Sequence, residues 1–228
     1  MYDKYKKFEP TSYVVRYKTG PWNEKKFLKL LGEDISNQIS ISNHETKDRI
    51  HLGTATATKV PFSTFTLTLD QEYLNLQELI PVILHKQGFV SACVFNERYV
   101  TQQTLTHEST YAVAGISLEL AKGLPYRIDE FGMKEFDISQ NWGSKEQCGY
   151  SWLVPAWKMW FGEPFYKLVS KERLLAFPYA VEIKVLENDM VYIQLFEKVE
   201  ESATAENREK QRLFREWCDF DGLVKKYS

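Results

Sequence analysis

No run of this sequence stays apolar for the ~20 residues that a membrane-spanning helix needs, and MYDKYKKFEP at the start has no apolar segment of the kind that directs export. A cytoplasmic protein with no membrane partner is the expectation. Cysteine is scarce: Cys93, Cys148 and Cys218 are odd in number and far apart, which argues against a disulfide framework and fits free thiols in a reducing compartment. An excess of one charge is also missing. With 29 Lys and Arg against 31 Asp and Glu the net charge is −2, which gives no electrostatic basis for holding nucleic acid. Only residues 1–29 depart from balance, with eight basic residues against three acidic ones, so a basic arm on a mildly acidic body is expected.

Motifs that carry chemistry are missing too. Metal centres announce themselves through close ligand pairs such as CxxC or HExxH, and none is present, so no metal is expected. His44, His51 and His107, the last beside Glu108, read as surface histidines without a third ligand. The eleven glycines are scattered, with no GxxxxGK or GxGxxG turn to cradle a phosphate. Gly149-Tyr150-Ser151 runs into Trp152-Leu153 and so does not complete a nucleophile elbow. No cofactor and no catalytic set follow from these patterns. An enzymatic or ligand-binding site would have to be assembled from residues distant in sequence, such as Asp219, Asp221, His107 and Glu108.

What is present suffices for a sizeable core: 228 residues, 43% hydrophobic and 14% aromatic. Ser12–Lys18 alternates as a strand and Gly20-Pro21 turns the chain. Asn23 then caps a helix, with Trp22 and Phe27 placed as a hydrophobic staple and Phe27, Leu28, Leu30 and Leu31 on its buried side. Residues 37–43, 49–58 and 62–69 read as successive antiparallel strands, and residues 76–84 as a helix ended by Gly88. Phe89–Phe95 has the form of an interior strand. Residues 101–109 and 126–148 read as loops, and long loops are often functional. Pro155 to Phe165 reads as a short helix or an aromatic turn. Ser170 and Thr204 are further helix caps, and the helix after Thr204 closes at Asp219–Gly222. Residues 180–186 and 190–196 form a hairpin with Val181, Ile183, Val191 and Ile193 facing the core. The expected fold is α+β: a single domain, residues 1–228, with a mainly antiparallel sheet flanked by a few helices.

The succession of PAWKMWFG, KERLLAFP and VEIKVLENDMVYIQLF between residues 155 and 196, followed by a charged helix, resembles the C-terminal part of bacterial immunity proteins of polymorphic and type VI secretion systems. That resemblance implies a non-enzymatic protein that binds one cognate toxin domain and occludes its active site. The residues themselves offer a candidate surface. Between Tyr126 and Trp152 acids alternate with aromatics, and such a loop meets a basic patch with its carboxylates while burying its rings. Asp129, Glu130, Phe131, Glu135, Phe136, Asp137 and Trp142 are the expected partner-binding residues. Trp152, Trp157 and Trp160 are divided between that surface and the core.

Overall fold

The computed structural model describes residues 9–15, 18–33, 38–55, 62–69, 87–129 and 131–227. The expected helix at 76–84 and residues 1–8 and 16–17 of the basic arm lie outside these residues. The fold is α+β with antiparallel strand pairing throughout the described sheets. The strands fall into two compact units, residues 1–82 and 83–228.

The first unit is a five-stranded sheet in the order β2-β1-β3-β4-β5, built from β1 (Ser12–Val15), β2 (Lys18–Pro21), β3 (Gln38–Ser42), β4 (Arg49–Ala55) and β5 (Phe62–Thr68). One strand was expected over 12–18, but Val15 pairs with Lys18, and Gly20-Pro21 lies within β2 as the second arm of a hairpin. Period-two alternation cannot reveal where a chain doubles back when both arms alternate. Helix α1 (Glu24–Glu33) starts as its residues dictate: the Asn23 carboxamide oxygen accepts from Lys26 N at 2.9 Å, and the Trp22 and Phe27 rings meet at 5.2 Å. Phe27 and Leu30 pack on Tyr13, Val15 and Ile41, whereas Leu28 is exposed, a correction to the expected buried side.

The second unit centres on a four-stranded sheet in the order β12-β13-β11-β6, of which β6 is Ser91–Val94, β11 Lys158–Phe161, β12 Glu182–Val185 and β13 Val191–Gln194. The segment expected as a helix or aromatic turn at 155–165 supplies β11, a central strand. Met159, Trp160 and Phe161 are all buried, so both faces of β11 are covered and its last three residues are apolar in a run rather than alternating. At the end of β11 the Gly162 N–H donates to Val90 O, and a Cβ there would stand 2.3 Å from Phe89 O, so only glycine fits. Val191 and Ile193 are buried as expected. Val181, just before β12, is exposed, and Ile183 within that edge strand is only half-buried.

Helices close this sheet. Residues expected as loop at 101–109 instead give α2 (Glu97–Thr104), capped by Asn96, and the start of α3 (Glu108–Val113). Ser170 caps α4 (Lys171–Leu175) and Thr204 caps α5 (Ala205–Trp217), both as expected. Asp219, at φ +53°, turns the chain into α6 (Phe220–Tyr227). Leu174, Phe214, Phe220 and Leu223 from these helices pack on Val191, Ile193 and Met159 of the sheet. The expected loop at 126–148 holds β7 (Tyr126–Ile128), β8 (Lys134–Phe136) and β9 (Glu146–Cys148), and β9 pairs with β10 (Ser151–Leu153).

The core sets the alkaline response. Burial pushes the Cys93 thiol up to about 11, Cys218 up to about 12 and the Tyr192 phenol up to about 12. In the unfolded chain the thiols ionise near ~8.5, so unfolding above that pH releases protons that the folded chain retains. Stability should be complete below about pH 8.5 and fall as pH rises toward 11–12, by up to about 1.4 kcal/mol per pH unit for each thiol. Denaturant titrations across that window check this; an unchanged midpoint from pH 8 to 11 would contradict it.

Candidate functional site

Tyr126 pairs with Phe136, Arg127 with Glu135 and Ile128 with Lys134, making a short antiparallel hairpin within residues 126–136. Its turn is tied by Asp129, whose Oδ1 accepts from Phe131 N at 2.9 Å and Met133 N at 2.7 Å, while Gly132 takes a left-handed φ of +79° that glycine adopts without strain. The base of the hairpin is held where Phe136 N donates to Thr106 O and Asp137 N to Pro125 O. Alternation then separates two faces.

One face carries Tyr126 and Phe136, whose rings stack at 4.9 Å, and Lys134 sits 3.7 Å above the Tyr126 ring. Phe136 is buried and meets Tyr111 edge-on at 5.7 Å, in a small core with Ile116 and Ala121. Tyr126 also donates to Glu108 Oε1 at 2.9 Å, and that hydrogen bond raises its phenol pKa. The other face carries Arg127, Asp129 and Glu135. Arg127 Nε donates to Glu135 Oε1 at 2.7 Å, and His107 Nε2 stands 3.7 Å from Glu135 Oε2.

The expected partner-binding residues therefore separate. Phe131 is 79% exposed at the hairpin tip, where an apolar ring in water suits an interface. Phe136 and Glu135 are buried and belong to the hairpin's own packing, which corrects their assignment to a free surface. Asp129 and Asp137 are half-buried, and Asp137 is held below the usual carboxylate range by the Ser139 backbone N–H on its Oδ1. Trp142 is half-buried, and Glu130 lies outside the described residues. Trp160 belongs to the core, Trp157 packs against it and donates Nε1–H to Glu197 O, and Lys145 covers the Trp152 ring at 4.3 Å.

Sequence reading missed the apolar side chains beside Phe131. Ile128 at 67% and Met133 at 55% are exposed on the same hairpin, and Val113, Leu118 and Leu120 are exposed on the segments that flank the Tyr111–Phe136 core. Their signal was present in the residues: apolar positions in a stretch too short to bury them. Sequence spacing also missed a grouping of donors. His107, Asp129 and Glu135, separated by up to 28 positions, bring their ligand atoms within 4.8 Å of one another.

The residues considered for an enzymatic site are engaged in two different sets of interactions. Glu108 accepts from Tyr126 near the hairpin, whereas Asp221 accepts from Arg215 Nη2 at 2.8 Å in a link between α5 and α6. Asp219 folds back over the first turn of α6, where a Cβ on Gly222 would stand 2.4 Å from its Oδ2. A cavity of about 10 Å³ lined by Ser91, Cys93, Trp152, Met159 and Phe165 has room for about one water, against the ~300 Å³ or more of a typical ligand pocket.

No family model, curated protein or solved structure matches this chain. Among the described residues no helix is long and apolar enough to cross a membrane.

Proposed function

We propose that this chain is a protein-binding module, a bacterial cytoplasmic immunity protein that neutralises a cognate toxin domain by occluding its active site. The observation that carries the binding role is the hairpin tip, where Ile128, Phe131 and Met133 stand in solvent on a turn braced by Asp129 and a base hydrogen-bonded to Thr106 and Pro125. A turn already held by hydrogen bonds has less to order on docking, and large exposed side chains on it are the usual anchors of an interface. Arg127, Asp129 and Lys134 on the hairpin and Asp137 at its base add polar groups that favour register over bulk affinity. The toxin as partner rests on the family resemblance of residues 155–196.

The interface test compares Phe131→Ala and Ile128→Asp with Val185→Asp, which alters an exposed apolar residue on the edge strand β12. Phe131→Ala should weaken partner binding about 30-fold, equivalent to ~2 kcal/mol, chiefly by faster dissociation. Val185→Asp should leave binding unchanged. The reverse pattern in calorimetry or biolayer interferometry would move the interface to the sheet edge and overturn this assignment.

A further inference from the structure

We infer that His107, Asp129 and Glu135 form a binding site for a divalent transition-metal ion of the Zn²⁺ class. Three separate parts of the chain supply the donors: the residue that opens α3, the hairpin turn and strand β8. Their ligand atoms lie within 4.8 Å of one another, and His107 Nε2 is 3.7 Å from Glu135 Oε2. That separation is too long for a hydrogen bond and close to what one ion requires, since two donors each ~2.1 Å from a metal stand about 3–3.5 Å apart at tetrahedral angles.

Each carboxylate is already oriented through one oxygen. Arg127 Nε holds Glu135 Oε1 at 2.7 Å, and the Phe131 and Met133 N–H groups hold Asp129 Oδ1. Among the described residues the other oxygens, Glu135 Oε2 beside His107 and Asp129 Oδ2, carry no hydrogen bond, and a carboxylate held through one oxygen is how outer groups aim metal ligands. Position 107 is fixed independently, because its carbonyl accepts from Thr110 N at 3.0 Å and from Thr110 Oγ1 at 2.6 Å, while its imidazole makes no capping bond. One imidazole and two carboxylates suit Zn²⁺ or Mn²⁺ rather than a soft thiolate-seeking ion. Three protein ligands leave room for water or for a donor from another molecule. The bound ion would tie the hairpin turn to the start of α3. The site shares Asp129 with the turn of the proposed interface, but its argument does not rest on that reading.

The test is titration calorimetry of the chelator-treated chain with ZnCl₂ and, separately, MnCl₂, on the wild type, His107→Ala, Asp129→Asn and His51→Ala. One equivalent of Zn²⁺ should bind the wild type and His51→Ala alike. His107→Ala and Asp129→Asn should each weaken it about tenfold or more, since losing a direct ligand costs at least as much as losing an outer one. Both variants should fold: His107→Ala keeps the carbonyl that Thr110 uses, and Asp129→Asn keeps an Oδ1 acceptor for the turn. Zn²⁺ should also slow amide exchange at Phe131 and Met133 in the wild type and not in His107→Ala. Absence of saturable binding, or equal affinity in His107→Ala, Asp129→Asn and wild type, would overturn the site.

Discussion

Phe214→Ala is expected to destabilise the second unit by about 3–5 kcal/mol, the range for deleting a buried aromatic ring. Phe214 is fully buried on α5 and meets Phe177 edge-on at 5.1 Å and Phe220 edge-on at 5.8 Å. Those contacts join α5 to the segment after α4 and to the start of α6, so the vacated volume is bounded by three elements that cannot all collapse into it. At about 2–4 °C per kcal/mol for a domain of this size, the melting temperature should fall by roughly 6–20 °C. Phe214→Leu, which refills much of the volume, should recover more than half of the loss. Calorimetry of both variants decides it; a loss under about 1 kcal/mol for Phe214→Ala would mean that this cluster is not the packing centre.

The second large effect is an asymmetry at Arg215. This guanidinium is buried on α5, donates to Glu146 on β9 and to Asp221 on α6 at 2.8 Å, and reaches Ser144 Oγ at 3.0 Å. Its two acids are less enclosed: the Glu146 side chain is 32% exposed and that of Asp221 69%. The cost of breaking the network therefore depends on which partner goes. Glu146→Ala leaves a buried cation whose remaining counter-charge is largely in water, and should cost about 3 kcal/mol, the lower end for a broken buried pair. Arg215→Met removes the buried charge, keeps the volume and leaves both acids access to solvent, so it should cost much less. In the double variant Arg215→Met should rescue most of the Glu146→Ala loss, giving a coupling of about 2 kcal/mol. Equal losses in the two single variants, or strict additivity, would contradict the argument.

Much of the fold was legible where a residue's chemistry is local. The Asn23, Ser170 and Thr204 caps and the Trp22–Phe27 staple depend on groups a few positions apart, and the structure has them as read. Strand β11 was not legible, because Lys158-Met159-Trp160-Phe161 is covered on both faces and loses the alternation that marks a strand. Helix α2 was hidden for the opposite reason: ERYVTQQT is polar, and only Tyr99, Val100 and Gln103 are buried. At the candidate site Phe131 stands exposed at the hairpin tip. Glu135 and Phe136 were misassigned because their neighbours, Arg127, His107 and Tyr111, reach them only through the register of β7 on β8 and the packing of α3. The meeting of His107, Asp129 and Glu135 depends on the same register, which no linear spacing encodes.

The claim that the β7–β8 hairpin seats on a toxin is tested most directly by toxin rescue. A candidate toxin domain that binds the purified wild type is expressed in cells with the wild type, with the Ile128→Asp/Phe131→Asp double variant, or with Val185→Asp, at matched soluble levels. The account predicts survival with the wild type and Val185→Asp and death with the double variant, with loss of the purified complex alongside. Survival with the double variant and an undiminished complex would contradict it.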